Sequence, residues 1–224
     1  MRCVRIIFVL LLISFSFSIT NAQNTWSPQK TWVFFVGLLE WQDSASLPSF
    51  PQKNRRDKIL YDLLKQSGVP TNQMMYLKDS QGTTSRINAE FSKFLSKAKP
   101  NDWVFVYYCG HGYKNDKAEA FLASYDVSNK TLGWAIKSIP EMIEKHFKGT
   151  HAIIALDNCY SGAMASAVKS QKRRVSYAVL ASSMASQVST GNWTFTESLI
   201  SAFRGENFID DDKNGVVTFD ELKS

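Results

Sequence analysis

The chain has 224 residues, 44% of them hydrophobic and 13% aromatic, a balance that fits a packed globular domain and excludes a disordered one. Its formal charge is +6, but the basic residues are scattered apart from Lys172-Arg173-Arg174 and Lys53 with Arg55-Arg56. No basic patch is interleaved with aromatics, so nucleic acid is not the expected partner.

Residues 1–22 read as a secretory signal peptide. Arg2 and Arg5 make a basic start, residues 6–19 are apolar apart from serines, and Ala22 offers a small residue for cleavage. The apolar run is short for a membrane span. The expected product is secreted or periplasmic, without membrane attachment after cleavage.

A single domain is expected over 23–204. Residues 31–39 (TWVFFVGLL) form a first strand, and 41–54, with Pro48 and Pro51, a loop. A helix over 57–66 puts Ile59, Leu60, Leu63 and Leu64 on one face. Residues 74–77 are a second strand, and 84–98 a helix burying Ile87, Phe91, Phe94, Leu95 and Ala98. A third strand over 103–108 (WVFVYY) runs into Cys109-Gly110-His111-Gly112. Residues 113–117 read as a loop and 118–125 as a short strand; 139–147 is a helix with Pro140 in its first turn. The apolar strand 151–157 leads into Asp157-Asn158-Cys159-Tyr160-Ser161-Gly162, followed by a short helix to about residue 169. A strand over 175–181 and a helix over 194–203, with Phe195, Leu199 and Phe203 on one face, complete the domain. Alternating strands and helices predict an α/β fold with a mainly parallel sheet flanked by helices.

Sheets of this kind place reactive groups at the carboxyl ends of their strands. One strand end here carries a thiol, Cys159, and another an imidazole, His111, between two glycines. A thiol attacks a carbonyl as the thiolate, so it needs an adjacent base or a helix start that lowers its pKa. His111 supplies the base if the two strands are neighbours, and the amides of Gly112 and Cys159 supply an oxyanion hole. A Cys109–Cys159 disulfide is the competing reading for an exported protein.

On these residues the chain resembles the caspase-like clan of cysteine peptidases, closest to bacterial caspase-domain proteins and metacaspases. The histidine precedes the cysteine by 48 residues, the order and spacing of caspases, and Asp-Asn-Cys-Tyr-Ser-Gly is similar to the metacaspase pattern rather than to Gln-Ala-Cys-x-Gly. The resemblance implies a three-layer sandwich and a cysteine endopeptidase acting on peptides or proteins, with no cofactor required for the chemistry. It also implies that Asp157, Asp57 and Cys109 line the substrate pocket, where two carboxylates would hold an Arg or Lys at P1. Arg55 or Arg56 offers the opposite specificity, Asp at P1. The segment 167–174 (AVKSQKRR) falls where relatives carry a linker, so Lys172, Arg173 or Arg174 is a candidate self-processing site. Loops around Ser182-Ser183-Met184 and Trp193 would shape the groove. The alternative function is a non-catalytic caspase-like module that binds calcium or docks a partner.

The last stretch, 205–224, reads as a partial EF-hand. Residues 210–221 fit D-x-[DN]-x-[DN]-G-x5-E in full. Asp210, Asp212, Asn214, the Val216 carbonyl, Thr218 and Glu221 offer oxygen ligands for Ca²⁺, and Gly215 permits the sharp turn.

Overall fold

The computed structural model describes residues 26–187 and 192–206. The signal-peptide and calcium-loop readings, on 1–22 and 210–221, lie outside the described residues.

Five strands build one parallel sheet: β1 (Thr31–Gly37), β2 (Met74–Lys78), β3 (Trp103–Cys109), β7 (His151–Asp157) and β8 (Ser176–Ala181), in the order β2-β1-β3-β7-β8. A second sheet of three antiparallel strands follows β3: β4 (Gly112–Lys114), β5 (Ala120–Leu122) and β6 (Trp134–Ala135). The helices are α1 (Arg56–Gln66), α2 (Thr84–Leu95), α3 (Ser138–His146), α4 (Ala163–Lys169) and α5 (Thr194–Arg204).

Every residue of β1 is buried, because both faces of the parallel sheet are covered. Side chains alternate along the strand, so Trp32, Phe34 and Val36 join a core with Ile87, Phe91 and Phe94 of α2 and Ile139 and Ile143 of α3. Val33 and Phe35 join the opposite core with Leu60 and Leu64 of α1 and Leu199 and Ile200 of α5. Aromatic contacts knit both layers: Phe34 lies 4.8 Å from Phe91, and Phe35 stacks 4.5 Å from Tyr107. This is the expected three-layer α/β sandwich.

Two expectations change. Residues 112–114, within or beside the expected loop, are a strand: Tyr113 pairs with Phe121 and stacks on its ring at 5.4 Å. Three residues are too few to display an alternating pattern in sequence, and the two of β6 fewer still. The expected helix 84–98 stops at Leu95, where the chain turns at Ser96. Ala98 is buried all the same.

The segment between α4 and β8 is anchored. Arg173 Nη2 donates to the Ala167 carbonyl at 2.8 Å, and Arg174 Nη1 donates to the Gly149 carbonyl at 2.9 Å. Glu144 accepts from the backbone N–H groups of Arg174 and Val175. Self-cleavage after Arg173 or Arg174 would first have to break these bonds, whereas Lys172 is exposed.

Candidate functional site

Register sets the site. Gly37, Cys109 and Asp157 are direct neighbours across β1, β3 and β7, so three strand ends meet at one edge. Each chain then leaves the sheet: Cys109 into Gly110-His111-Gly112, and Asp157 into Asn158-Cys159. Between them and α1 opens a cleft of about 620 Å³, lined among others by His111, Cys159, Asp157, Arg56 and Trp193.

His111 is held on three sides. Its ring lies 4.4 Å from that of Trp41 and 4.5 Å from that of Phe50. Its Nε2 is 2.9 Å from the Pro48 carbonyl oxygen. A carbonyl can only accept, so Nε2 carries a proton, which leaves Nδ1 as the ring nitrogen able to act as a base. The loop that supplies Pro48 is itself fixed. Phe50 N–H donates to the Leu39 carbonyl, Trp41 Nε1 to Ala123, and Leu38 N–H to Cys109. Buried Tyr108 donates its hydroxyl to the His111 carbonyl at 2.8 Å.

The glycines beside His111 have separate reasons. Gly110 sits at φ +148, where a Cβ would also press on the Tyr108 hydroxyl at 2.7 Å. A Cβ on Gly112 would overlap the Cys159 carbonyl oxygen and the Asn158 amide. Gly112 therefore brings the histidine segment into backbone contact with the cysteine segment. On the other side, Asn158 is buried and its Nδ2 donates to the Cys159 carbonyl at 2.6 Å, and Tyr160 takes the left-handed conformation at φ 62.

The two cysteines are thiols rather than a mutual disulfide, and their surroundings differ. Cys109 is 2% exposed. Burial pushes its thiol up, and the Asp57 and Asp157 carboxylates push it further, so Cys109 stays neutral. Cys159 is partly exposed in the cleft. A helix start does not polarise it: α4 begins four residues later, at Ala163, and the intervening residues form a turn.

Asp57 requires a correction. It is fully buried and does not line the cleft. Arg55 Nη2 donates to its Oδ2 at 2.8 Å and Arg55 Nε to its Oδ1 at 3.2 Å, while the Tyr76 hydroxyl donates to Oδ2 at 2.5 Å. With Lys58 N–H donating to Oδ1 as well, at 2.9 Å, all four lone-pair positions of the carboxylate are filled and none is left for a substrate cation. Arg55 is likewise committed, to Asp57, Asp79 and the Gly37 carbonyl. Burial works against its charge, but Asp57 outweighs this and holds the guanidinium protonated. Of the two adjacent arginines, Arg56 is the one on the cleft, where it pairs with Glu197.

Asp157 does line the cleft. Rather than capping the helix after it, it accepts a hydrogen bond at 2.6 Å from the hydroxyl of Thr196 on α5. Thr196 in turn lies 2.6 Å from the Tyr107 hydroxyl, which donates to it. Burial raises the Asp157 carboxyl, and the hydrogen bonds from Thr196 and Ser182 pull it partly back. Trp193, left-handed at φ 58 before α5, forms part of the wall. Among the described residues, no three His, Cys, Asp or Glu side chains are grouped to hold a metal, and no helix is long and apolar enough to cross a membrane.

Neither Pro48, read in sequence only as a loop former, nor Thr196 is marked there as a site residue. Pro48 contributes a backbone carbonyl, which every residue has. Thr196 shares the buried face of α5 with Leu199 and Ile200, one position round the helix from the Phe195, Leu199 and Phe203 face that the sequence displays.

A five-stranded parallel sandwich with a thiol and an imidazole on one cleft at its carboxyl edge defines a caspase-like protein. Residues 53–214, well over half of the chain, match the Peptidase C13 family model. The chain belongs to the Peptidase C13 family and is a cysteine-type peptidase, with peptides or proteins as its substrate class. No curated protein matches it.

Proposed function

We propose that the chain is an endopeptidase working through a His111–Cys159 dyad. The observation that carries this is the shared cleft, in which the Pro48 carbonyl selects the His111 tautomer whose Nδ1 is basic. His111 Nδ1 takes the Cys159 proton, and the thiolate attacks the scissile carbonyl carbon. The amides of Gly112 and Cys159 take up the oxyanion. His111 passes its proton to the departing amine as the C–N bond breaks, leaving a thioester on Cys159. Water then attacks the thioester, giving its proton to His111. The acid leaves and the thiol is restored by that proton.

An electrophilic peptide warhead tests the assignment. The wild type is labelled at Cys159 and turns over peptide reporters; Cys159→Ala takes no label, and His111→Ala loses turnover by about 10²-fold or more. A wild type that is folded yet neither labels nor cleaves would reduce the chain to the non-catalytic module.

For the P1 side chain the proposal is Arg or Lys, held by Asp157, the cleft carboxylate two residues before the nucleophile. Arg56 and Lys53 on the same cleft favour a second reading, an acceptor-bearing P1 such as Asp or Asn. Reporters ending in Arg, Lys, Asp and Asn separate the two. Cleavage confined to Asp or Asn ends the basic-P1 reading.

The proposal extends to both ends of the chain. Residues 1–22 direct export, which N-terminal sequencing of the mature protein tests. Residues 210–221 take up Ca²⁺ through an all-oxygen donor set. Calorimetric titration reads that binding, and Glu221→Gln abolishes it.

A further inference from the structure

We propose that Lys114 and Tyr160 form the surface that holds the leaving half of the substrate, and that they select an acidic side chain there. The inference rests on the dyad proposed above. The cleft beside the dyad ends at Gly110-His111 on one segment and Asn158-Cys159 on the other. The residues that follow, Gly112 to Lys114 and Tyr160, are not part of its lining. Backbone contact at Gly112 keeps these two continuations side by side. With the acyl half of a peptide in the cleft, the amine half departs past His111, which protonates it, and so over these residues.

Four features equip this surface for a peptide. The Lys114 ammonium lies 5.2 Å from the centroid of the Tyr160 ring, a cation–π contact that fixes an otherwise flexible chain. Lys114 is exposed and has no carboxylate partner among the described residues, whereas Lys137 nearby in the fold is paired with Glu119. Tyr160 is an aromatic at φ 62, directly after the proposed nucleophile, and backbone outliers of this kind concentrate where function over-determines them. Moreover, β4 is an edge strand, paired with β5 on one side only among the described residues. Its other edge offers backbone groups to an extended chain. From Gly112 to Lys114 the strand advances about 6.6 Å, which places the preferred carboxylate on the second residue beyond the scissile bond.

Internally quenched peptides identical except for Asp or Lys at that second position test the inference, beside a coumarin reporter that has no residues beyond the scissile bond. The expected result is an Asp-over-Lys ratio in kcat/KM of about two to five, the range of an exposed charge pair, shrinking as salt is raised. Lys114→Glu inverts the ratio and Lys114→Gln brings it to about one. Because each ratio is taken within one protein preparation, losses of folded enzyme cancel. Cleavage of the coumarin reporter with a wild-type ratio of one, or a ratio that Lys114→Glu leaves unchanged, overturns the inference alone. No cleavage of the coumarin reporter overturns the dyad and this inference with it.

Discussion

Replacing Gly112 by alanine separates the two segments of the proposed dyad while keeping both of its side chains chemically intact. The new Cβ would overlap the Cys159 carbonyl oxygen and the Asn158 amide, and neither can lie within 3.0 Å of a real Cβ. Both neighbours are held firmly, since Asn158 is 1% exposed and its Nδ2 is bonded to the Cys159 carbonyl. Strain therefore resolves by moving the His111 segment away from Cys159 by the better part of an ångström. A misplacement of about 1 Å lowers turnover by about 10²-fold, whereas overpacking of this kind costs about 1–3 kcal/mol of stability. For a chain of this size the midpoint falls by about 2–4 °C per kcal/mol. Measured together, kcat/KM on a peptide reporter and the thermal midpoint distinguish the two effects: turnover collapses while the protein stays folded at 25 °C. A Gly112→Ala enzyme with turnover within a few-fold of wild type would show that close approach at Gly112 does not set the dyad geometry.

Two further outcomes follow from the buried charges. Arg55→Ala leaves Asp57 and Asp79, with side chains 0% and 10% exposed, without their guanidinium. Breaking a buried pair from one side costs about 3–5 kcal/mol, so chemical denaturation should show a large fall in midpoint, and a change under 1 kcal/mol would refute the network's role. Asp157 is raised from 3.8 by burial, so the native state binds its proton more tightly than the unfolded chain does. Its ionisation therefore costs stability, a cost absent below about pH 3.8 and complete above the raised native value. Asp157→Asn, which keeps an oxygen to accept from Thr196, should melt higher than wild type at pH 7, with the gap closing as pH falls towards 3.8. A gap that does not change with pH would refute burial as the cause.

The α/β alternation and the chemistry-bearing pair were legible in the linear chain. Buried parallel strands must be apolar on both faces, so WVFVYY and the run before Asp157 stand out as unbroken blocks, and the groups that terminate them are marked by position alone. The order and spacing of His111 and Cys159 carried the clan resemblance on the same grounds. What only the tertiary structure decided were matters of through-space partnership. Asp57 looked like a pocket acid, but folding brings Arg55 and Tyr76 to its two oxygens and removes it from substrate reach. Asp157 kept its place on the cleft, but its partner Thr196 lies 39 residues away on the last helix. The His111 tautomer depends on a carbonyl 63 residues earlier, and a backbone oxygen carries no residue identity that a sequence could reveal. Apolar periodicity is a local property of the chain; the charge state and orientation of a site depend on which distant groups the fold sets within hydrogen-bond range.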